Sequence, residues 1–179
     1  MTLLELSEAA QASAVAEWMR TSVKAMPVVD AIHVMAVALV FGTVLVVDLR
    51  LLGFPDTRRA VTRVADELLW LTWVAFGIAA VTGAAMFTAN AVTYYNNTAF
   101  RLKLLALLAA GLNMAIFQFV TWRGVRAWDQ GLRSPPAARL AAVLSIALWI
   151  SVIFLGRWIG FTKGYDFTIP DEVQFEFGP

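Results

Sequence analysis

One histidine stands in the most apolar region of this chain. His33 is the only imidazole among 179 residues, and apart from Gly42 and Thr43 the chain after it is apolar as far as Val47. Asp30 comes three residues before His33, so in a helix the two side chains lie on nearly the same face. A neutral imidazole can ligate a metal, including the iron of haem, or hydrogen-bond to a buried ligand. His33 is therefore the first candidate for a binding residue.

Two cations also lie inside long apolar segments. Lys103 belongs to the first turn of the third such segment, and Arg157 belongs to the last turn of the fourth. An ionised side chain near the centre of a bilayer costs about 3 kcal/mol on insertion scales, so such residues usually face the interior of a bundle and have a partner. One interpretation is a structural network in which Asp30 accepts hydrogen bonds from Lys103 or Arg157 while His33 stays neutral and hydrogen-bonded. Another is that both cations extend to the lipid headgroups.

A ligand cavity that contains these groups is the alternative to a structural network. Haem b is the leading ligand: His33 would be its axial ligand, and Lys103 and Arg157 would hold the propionates. Met86 at a similar depth, a water molecule, or His33 of another copy would be the second ligand. A quinone is the next candidate, with His33 or Arg157 donating to its carbonyl, and copper is the weakest. Asp30 lies at the polar end of this cavity. The apolar floor would consist of Ala36, Val37 and Val40.

The elements that carry these residues are predicted to be membrane-spanning helices. The chain is 60% hydrophobic and only 15% charged, with a mean hydropathy of +0.70, whereas about a quarter of a soluble domain is charged. A span needs about 20 apolar residues, and only helices or closed barrels satisfy the backbone in lipid. The sequence predicts an all-α bundle of four transmembrane helices, at about 27–49, 68–89, 100–122 and 140–161.

Two further segments flank the predicted bundle, and together they complete a single membrane domain over residues 1–179. In residues 1–25, apolar side chains recur at helical spacing, which predicts an amphipathic helix at the membrane interface. A helix packed on the surface of the bundle is an equal alternative. The tail at 162–179 is acidic and aromatic, and it is expected on the outer face, where it would cap the bundle or contact a partner.

Loop charge predicts the orientation in the membrane. The connection between the first two predicted spans and the connection between the last two are rich in arginine, whereas residues 90–99 carry no positive charge. Both arginine-rich connections are therefore expected in the cytoplasm. Both termini are then expected on the periplasmic side of a bacterial inner membrane. His33, Lys103 and Arg157 fall in the outer half of the bilayer in this orientation.

Several function classes are disfavoured by the composition and the motifs. The formal net charge of +1 provides no basic face for nucleic acid. The chain has no cysteine, which excludes disulfides and thiolate metal sites. It also contains no HExxH, P-loop or GxGxxG motif, so an enzyme acting alone is not expected. Three classes remain: an electron-transfer subunit with haem or quinone, a structural or assembly subunit of a larger complex or homo-oligomer, and a permeation module for copper or small solutes.

A longer pattern of residues resembles a known family. Its specific part is His33, Gly42 and the run Asp48-Leu-Arg-Leu-Leu-Gly53. The remaining positions of the pattern are Ser22, Pro27, Thr82, Gly83, Phe100, Lys103, Asn113, Trp149, Gly156 and Arg157. The chain thereby resembles a family of small bacterial inner-membrane proteins of unknown function. The resemblance implies four helices and draws attention to His33, Lys103 and Arg157. In outline, the chain is also similar to copper-resistance membrane domains of the CopD type, which carry a histidine early in a spanning helix.

Overall fold

The computed structural model describes residues 2–54, 60–129 and 134–162. Over these ranges the chain is helical and contains no strand, which confirms the all-α prediction. The α-helices of these ranges are α1 (Leu3–Gln11), α2 (Ala14–Thr21), α3 (Ala25–Leu52), α4 (Val61–Ala89), α5 (Ala91–Asn96), α6 (Thr98–Ile116), α7 (Val125–Trp128) and α8 (Pro136–Thr162). Beyond Thr162, the tail assigned to the outer face lies outside the described residues.

Four helical stretches are long and apolar enough to span a membrane, as the hydropathy predicts. They are α3, α4, α8 and the run Thr98–Gly124, in which α6 continues through a π-helical turn at Phe117–Thr121 and a 3₁₀ turn at Trp122–Gly124. Each is longer than its predicted apolar segment. The 28 residues of α3 extend about 42 Å at 1.5 Å per residue, against a hydrocarbon layer of about 30 Å. The helices therefore continue into the headgroup region, and the chain is a multi-pass membrane protein.

Three helix contacts hold the spans together. Helix α3 packs along α4, α6 packs along α8, and α3 also contacts α8. The consecutive spans α4 and α6 do not pack side by side along their length. Many apolar side chains point outward; Val81 and Leu108, for example, are 71% and 70% exposed. In a bilayer these side chains contact the acyl chains, so lipid completes the packing of the bundle.

Polar side chains link neighbouring spans. The hydroxyl groups of Thr43 on α3 and Thr72 on α4 are 2.8 Å apart. Between α6 and α8, the Asn113 side chain donates to the Ala141 carbonyl at 3.0 Å. An uncharged polar group inside a span needs such an internal partner, because the hydrocarbon offers none.

The N-terminal segment forms two helices instead of the single amphipathic helix predicted for it. The chain is interrupted after Gln11 because the Ser13 side chain accepts a hydrogen bond from the Ala16 amide at 3.3 Å and thereby caps a new helix. Helix α1 packs against α5, and α2 packs against α4, which favours the surface-packed alternative. Leu3 and Trp18 remain 69% and 54% exposed, so an apolar side of this segment still faces outward.

Candidate functional site

The spans α3, α4, α6 and α8 enclose a cavity of about 590 Å³. Its volume falls within the range of roughly 300–1,000 Å³ that is usual for small-molecule sites. The cavity is lined by all five candidate side chains, Asp30, His33, Met86, Lys103 and Arg157. The fold thus brings together groups from four different spans. A smaller cleft of about 390 Å³ lies between α6 and α8, and the described residues that line it are all uncharged.

The imidazole of His33 is held by a hydroxyl group on the neighbouring span. Its Nδ1 atom lies 3.0 Å from Thr82 Oγ1. The single hydroxyl proton of Thr82 has a carbonyl acceptor close by, the oxygen of Ile78 at 2.7 Å, and a carbonyl oxygen can only accept. This arrangement favours the tautomer in which the hydroxyl donates to Ile78 and accepts from an Nδ1–H of His33. This assignment leaves Nε2 with its lone pair, as in a metal-ligating histidine whose other ring nitrogen is held by a hydrogen bond.

Gly83 makes room for the same ring. A Cβ atom at this position would lie 3.0 Å from Cε1, 3.5 Å from Nδ1 and 3.9 Å from Nε2 of His33. The edge of the ring between Cε1 and Nδ1 therefore rests on the backbone of α4, and Nε2 is the ring nitrogen farther from Gly83. Thr82 and Gly83 together fix the orientation of the imidazole, one by a hydrogen bond and the other by the absence of a side chain.

The two cations line the α6 and α8 side of the cavity. Lys103 lies against α8 at Gly156, where a Cβ atom would be 3.4 Å from the lysine Nζ and 3.6 Å from its Cε. The next residue, Arg157, places its guanidinium carbon 5.5 Å from the centre of the Phe161 ring. Two positive groups that line one cavity can bind an anionic group or a carbonyl oxygen.

Asp30 does not serve as the ion-pair partner of these cations. In the described part of the chain it forms no salt bridge with Lys103 or Arg157, and its side chain is exposed. The structural-network interpretation is therefore wrong about the ion pair, while the hydrogen-bonded His33 that it required is present. The side chain of Arg157 is exposed and can extend to the lipid headgroups. That of Lys103 is half-buried against α8.

Met86 and the apolar floor complete the predicted set. Met86 is half-buried on α4, three residues after Gly83, and lines the cavity. Of the predicted floor, Val37 and Val40 line the cavity but Ala36 does not. Ala36 is only 6% exposed, and it is buried away from the cavity because adjacent helical residues are rotated by about 100° from each other.

Three aromatic side chains close one end of the cavity. The ring centres of Phe87 and Phe100 are 5.5 Å apart, those of Tyr94 and Phe100 are 5.2 Å apart, and those of Phe87 and Tyr94 are 6.0 Å apart. Tyr94 belongs to α5, in a stretch that the sequence predicted to be a loop. No charge marks these residues in the sequence, and Phe100 alone belonged to the family pattern. That pattern also contained Thr82, Gly83 and Gly156, and it was the only signal for their part in the site.

The donor set of the cavity suits a haem better than a bare metal ion. Within the described ranges, no three His, Cys, Asp or Glu side chains come together, so an ion would find few protein ligands. A haem carries four nitrogen ligands of its own and needs only one or two from the protein. The imidazole of His33 and the thioether of Met86 line the cavity, and they are the two side chains there that would have to serve.

The sequence pattern is that of a recognised family. Residues 12–162 match a family of unknown function, DUF6644. The chain belongs to DUF6644. The DUF6644 match includes all four spans and the five candidate residues, and it begins after α1. No curated protein and no solved structure matches the chain. The similarity to CopD-type domains stays a prediction.

Proposed function

We propose that this DUF6644 protein is a small membrane electron-transfer subunit that binds haem b in the cavity between its four spans. The observation that supports this most directly is the hydrogen bond between His33 Nδ1 and Thr82 Oγ1. It leaves Nε2 as a lone-pair donor in a cavity with aromatic walls, which is what an axial haem ligand requires. The haem would supply the one-electron chemistry, and a membrane partner or a second copy would exchange electrons with it.

The other candidate residues would contact the remaining groups of the haem. Lys103 and Arg157 would hold the two propionates through charge-assisted hydrogen bonds, and Asp30 at the same end would limit the excess of positive charge. Met86 would be the second protein ligand. Val37, Val40 and the aromatic side chains line the same cavity and would exclude water from the bound group.

An absorption spectrum tests this proposal. We expect the protein purified from haem-supplied cells to show a Soret band that shifts on reduction with dithionite. His33→Ala should lose this band while the protein still inserts in the membrane. Met35→Ala is the matched control, because Met35 lies on the same helix but is 65% exposed and does not line the cavity. A featureless spectrum of the wild-type protein, or a band that His33→Ala retains, would contradict the proposal.

The role of the cations has its own test. Arg157→Leu should lower haem occupancy more than it lowers the yield of folded protein, since a propionate partner contributes to ligand binding and forms no salt bridge within the described residues. The occupancy is measured as the ratio of Soret to protein absorbance. If the variant instead fails to accumulate, Arg157 has a structural role and the assignment to a propionate is wrong.

A quinone is the second candidate ligand, and the separation of α4 from α6 favours it. A cavity that is open between two spans can admit a ring whose long tail stays in the lipid. In this case Lys103 and Arg157 would donate to the quinone carbonyls, because Nε2 of His33 has no proton to donate in the tautomer with hydrogen on Nδ1. Organic-solvent extraction of the purified protein followed by chromatography would detect it, and extraction of stoichiometric quinone with no haem would replace the first proposal by the second.

A further inference from the structure

The route into the cavity is indicated by the way α4 and α6 separate. The short helix α5 connects them, so they must lie close together at that end, where Phe87 and Phe100 stack with ring centres 5.5 Å apart. Away from α5 the two spans do not pack side by side. The cavity lies on this side of the stack, because its lining extends along α4 from Phe87 to Phe76 and along α6 from Phe100 to Leu107. These distances are about 16 Å and 10 Å along the helix axes.

The end of the cavity next to α5 is closed by described residues. Tyr94 is only 8% exposed and packs against both Phe87 and Phe100. The corner from α4 to α5 is in turn held by the N-terminal helices. Arg20 donates to the Ala89 carbonyl at 3.1 Å, and the Val92 amide donates to Gln11 Oε1 at 3.0 Å. These contacts hold α1 and α2 against this end of the bundle, where they shield the site from water.

On the α4 border of the gap towards α6, two cavity-lining residues are exposed. They are Phe76, which is 42% exposed, and Ala80. They lie one helical turn apart within the membrane-spanning part of α4. The medium that they face at this depth is the acyl-chain region of the bilayer and not water.

We propose that the cavity exchanges its ligand with the lipid phase of the membrane, through the gap between α4 and α6. The ligand class is a membrane-dissolved amphiphile whose apolar body passes between the spans while its anionic or carbonyl groups reach Lys103 and Arg157. The identity of the ligand rests on the proposed function, whereas the access route rests on the separation of the helices alone.

The first test needs no ligand. The chain has no cysteine, so a nitroxide can be attached to the single-cysteine variant Ala80→Cys in lipid nanodiscs. We expect its spin relaxation to respond to oxygen, which concentrates in lipid, and hardly at all to a water-soluble nickel chelate. Asn96→Cys, at an exposed position of α5, is the aqueous control. A nitroxide at position 80 that responds to the chelate as strongly as the one at position 96 would show access from water and overturn the proposal.

The second test measures the rate at which apoprotein in nanodiscs takes up haemin. Ala80→Trp should slow uptake by roughly an order of magnitude, because an indole would occupy the gap. Ala84→Trp is the matched control, since Ala84 is exposed on the same helix but does not line the cavity. Equal rates in the two variants would contradict the route between α4 and α6. If the wild-type protein develops no Soret band, the haem proposal fails, and the nitroxide result still tests whether the gap at position 80 is open to lipid or to water.

Discussion

At the scale of single residues, the chemistry of the site depends on how one imidazole is oriented. His33 has a hydroxyl partner at Nδ1 and a glycine backbone beside its Cε1 edge. Neither neighbour carries charge, yet together they determine which ring nitrogen faces the ligand. The glycine is the more informative of the two to change, because substitution adds a single methyl group at a known distance from the ring.

Gly83→Ala should displace the imidazole. Its Cβ atom would lie 3.0 Å from Cε1 of His33, tighter than most real contacts, so the ring must shift by a few tenths of an ångström and we expect its hydrogen bond to Thr82 to weaken. We expect a shifted Soret band or a lower haem occupancy, measured by absorption spectroscopy. Gly77→Ala is the matched control, because a Cβ atom there meets nothing within 4 Å. It should leave the spectrum unchanged and gain up to about 1 kcal/mol of helix stability. Identical spectra for the two variants would contradict the proposed orientation of the ring.

The sequence predicts only part of this site. Depth along a span follows from residue spacing, so Asp30, His33 and the two cations can be placed at one level by counting residues along each apolar segment. The residues that support them cannot be found in this way. Thr82 is an ordinary polar residue of a transmembrane helix, and Gly83 continues a row of small residues that is typical of helix packing. Only the rotation of α4 against α3, which depends on packing, turns both of them towards His33.

At the scale of whole elements, α4 begins with a cap that comes from another helix. Its own N-cap residue, Ala60, makes no side-chain hydrogen bond. Asp129, just after α7, instead accepts from the Thr62 amide at 2.9 Å and from the Thr62 hydroxyl at 2.6 Å. Partial burial acts to raise the pKa of Asp129, but these hydrogen bonds and the nearby positive charge of Arg50 outweigh it and hold the pKa below its ordinary value.

Asp129→Ala should therefore destabilise the connection between α4 and α7. Loss of an N-cap acceptor costs about 1 kcal/mol of unfolding free energy, which thermal unfolding in detergent at neutral pH can measure. Because the pKa is lower in the folded state, the stabilisation by Asp129 is present above the unfolded pKa and is lost as the pH falls through the folded pKa. The difference between wild type and variant should shrink in acid. Asp129→Asn, which keeps one acceptor oxygen, should be intermediate, and a difference independent of pH would argue against the carboxylate as the cap.

The elements show a similar division between what the sequence predicts and what it does not. The four spans are encoded locally, by runs of apolar residues, and all four are present. The split of the N-terminal helix at Ser13 and the short helix α5 depend on capping and on contacts with other elements, which hydropathy does not report. The order of the spans around the bundle, with α4 and α6 apart, likewise depends on side-chain packing between helices.

At the scale of the whole molecule, the position of the cavity in the membrane depends on orientation. The cavity lies near the end of the bundle that carries α5, and the helix ends that flank the two arginine-rich connections of the sequence lie at the other end. The positive-inside rule predicts that those connections face the cytoplasm. The aromatic cap and the propionate-binding cations would then lie towards the periplasm.

This orientation predicts which single cysteines react in intact cells. Because the natural chain has none, one cysteine at a time can be labelled with a maleimide that does not cross the membrane. Asn96→Cys, on the exposed face of α5, should react in intact cells, whereas Asp66→Cys, near the start of α4, should react only after the membrane is opened. The opposite pattern would place the cavity in the cytoplasmic leaflet. The positive-inside argument would then be wrong, and electrons or ligands that reach this end of the bundle would have to come from the cytoplasmic side.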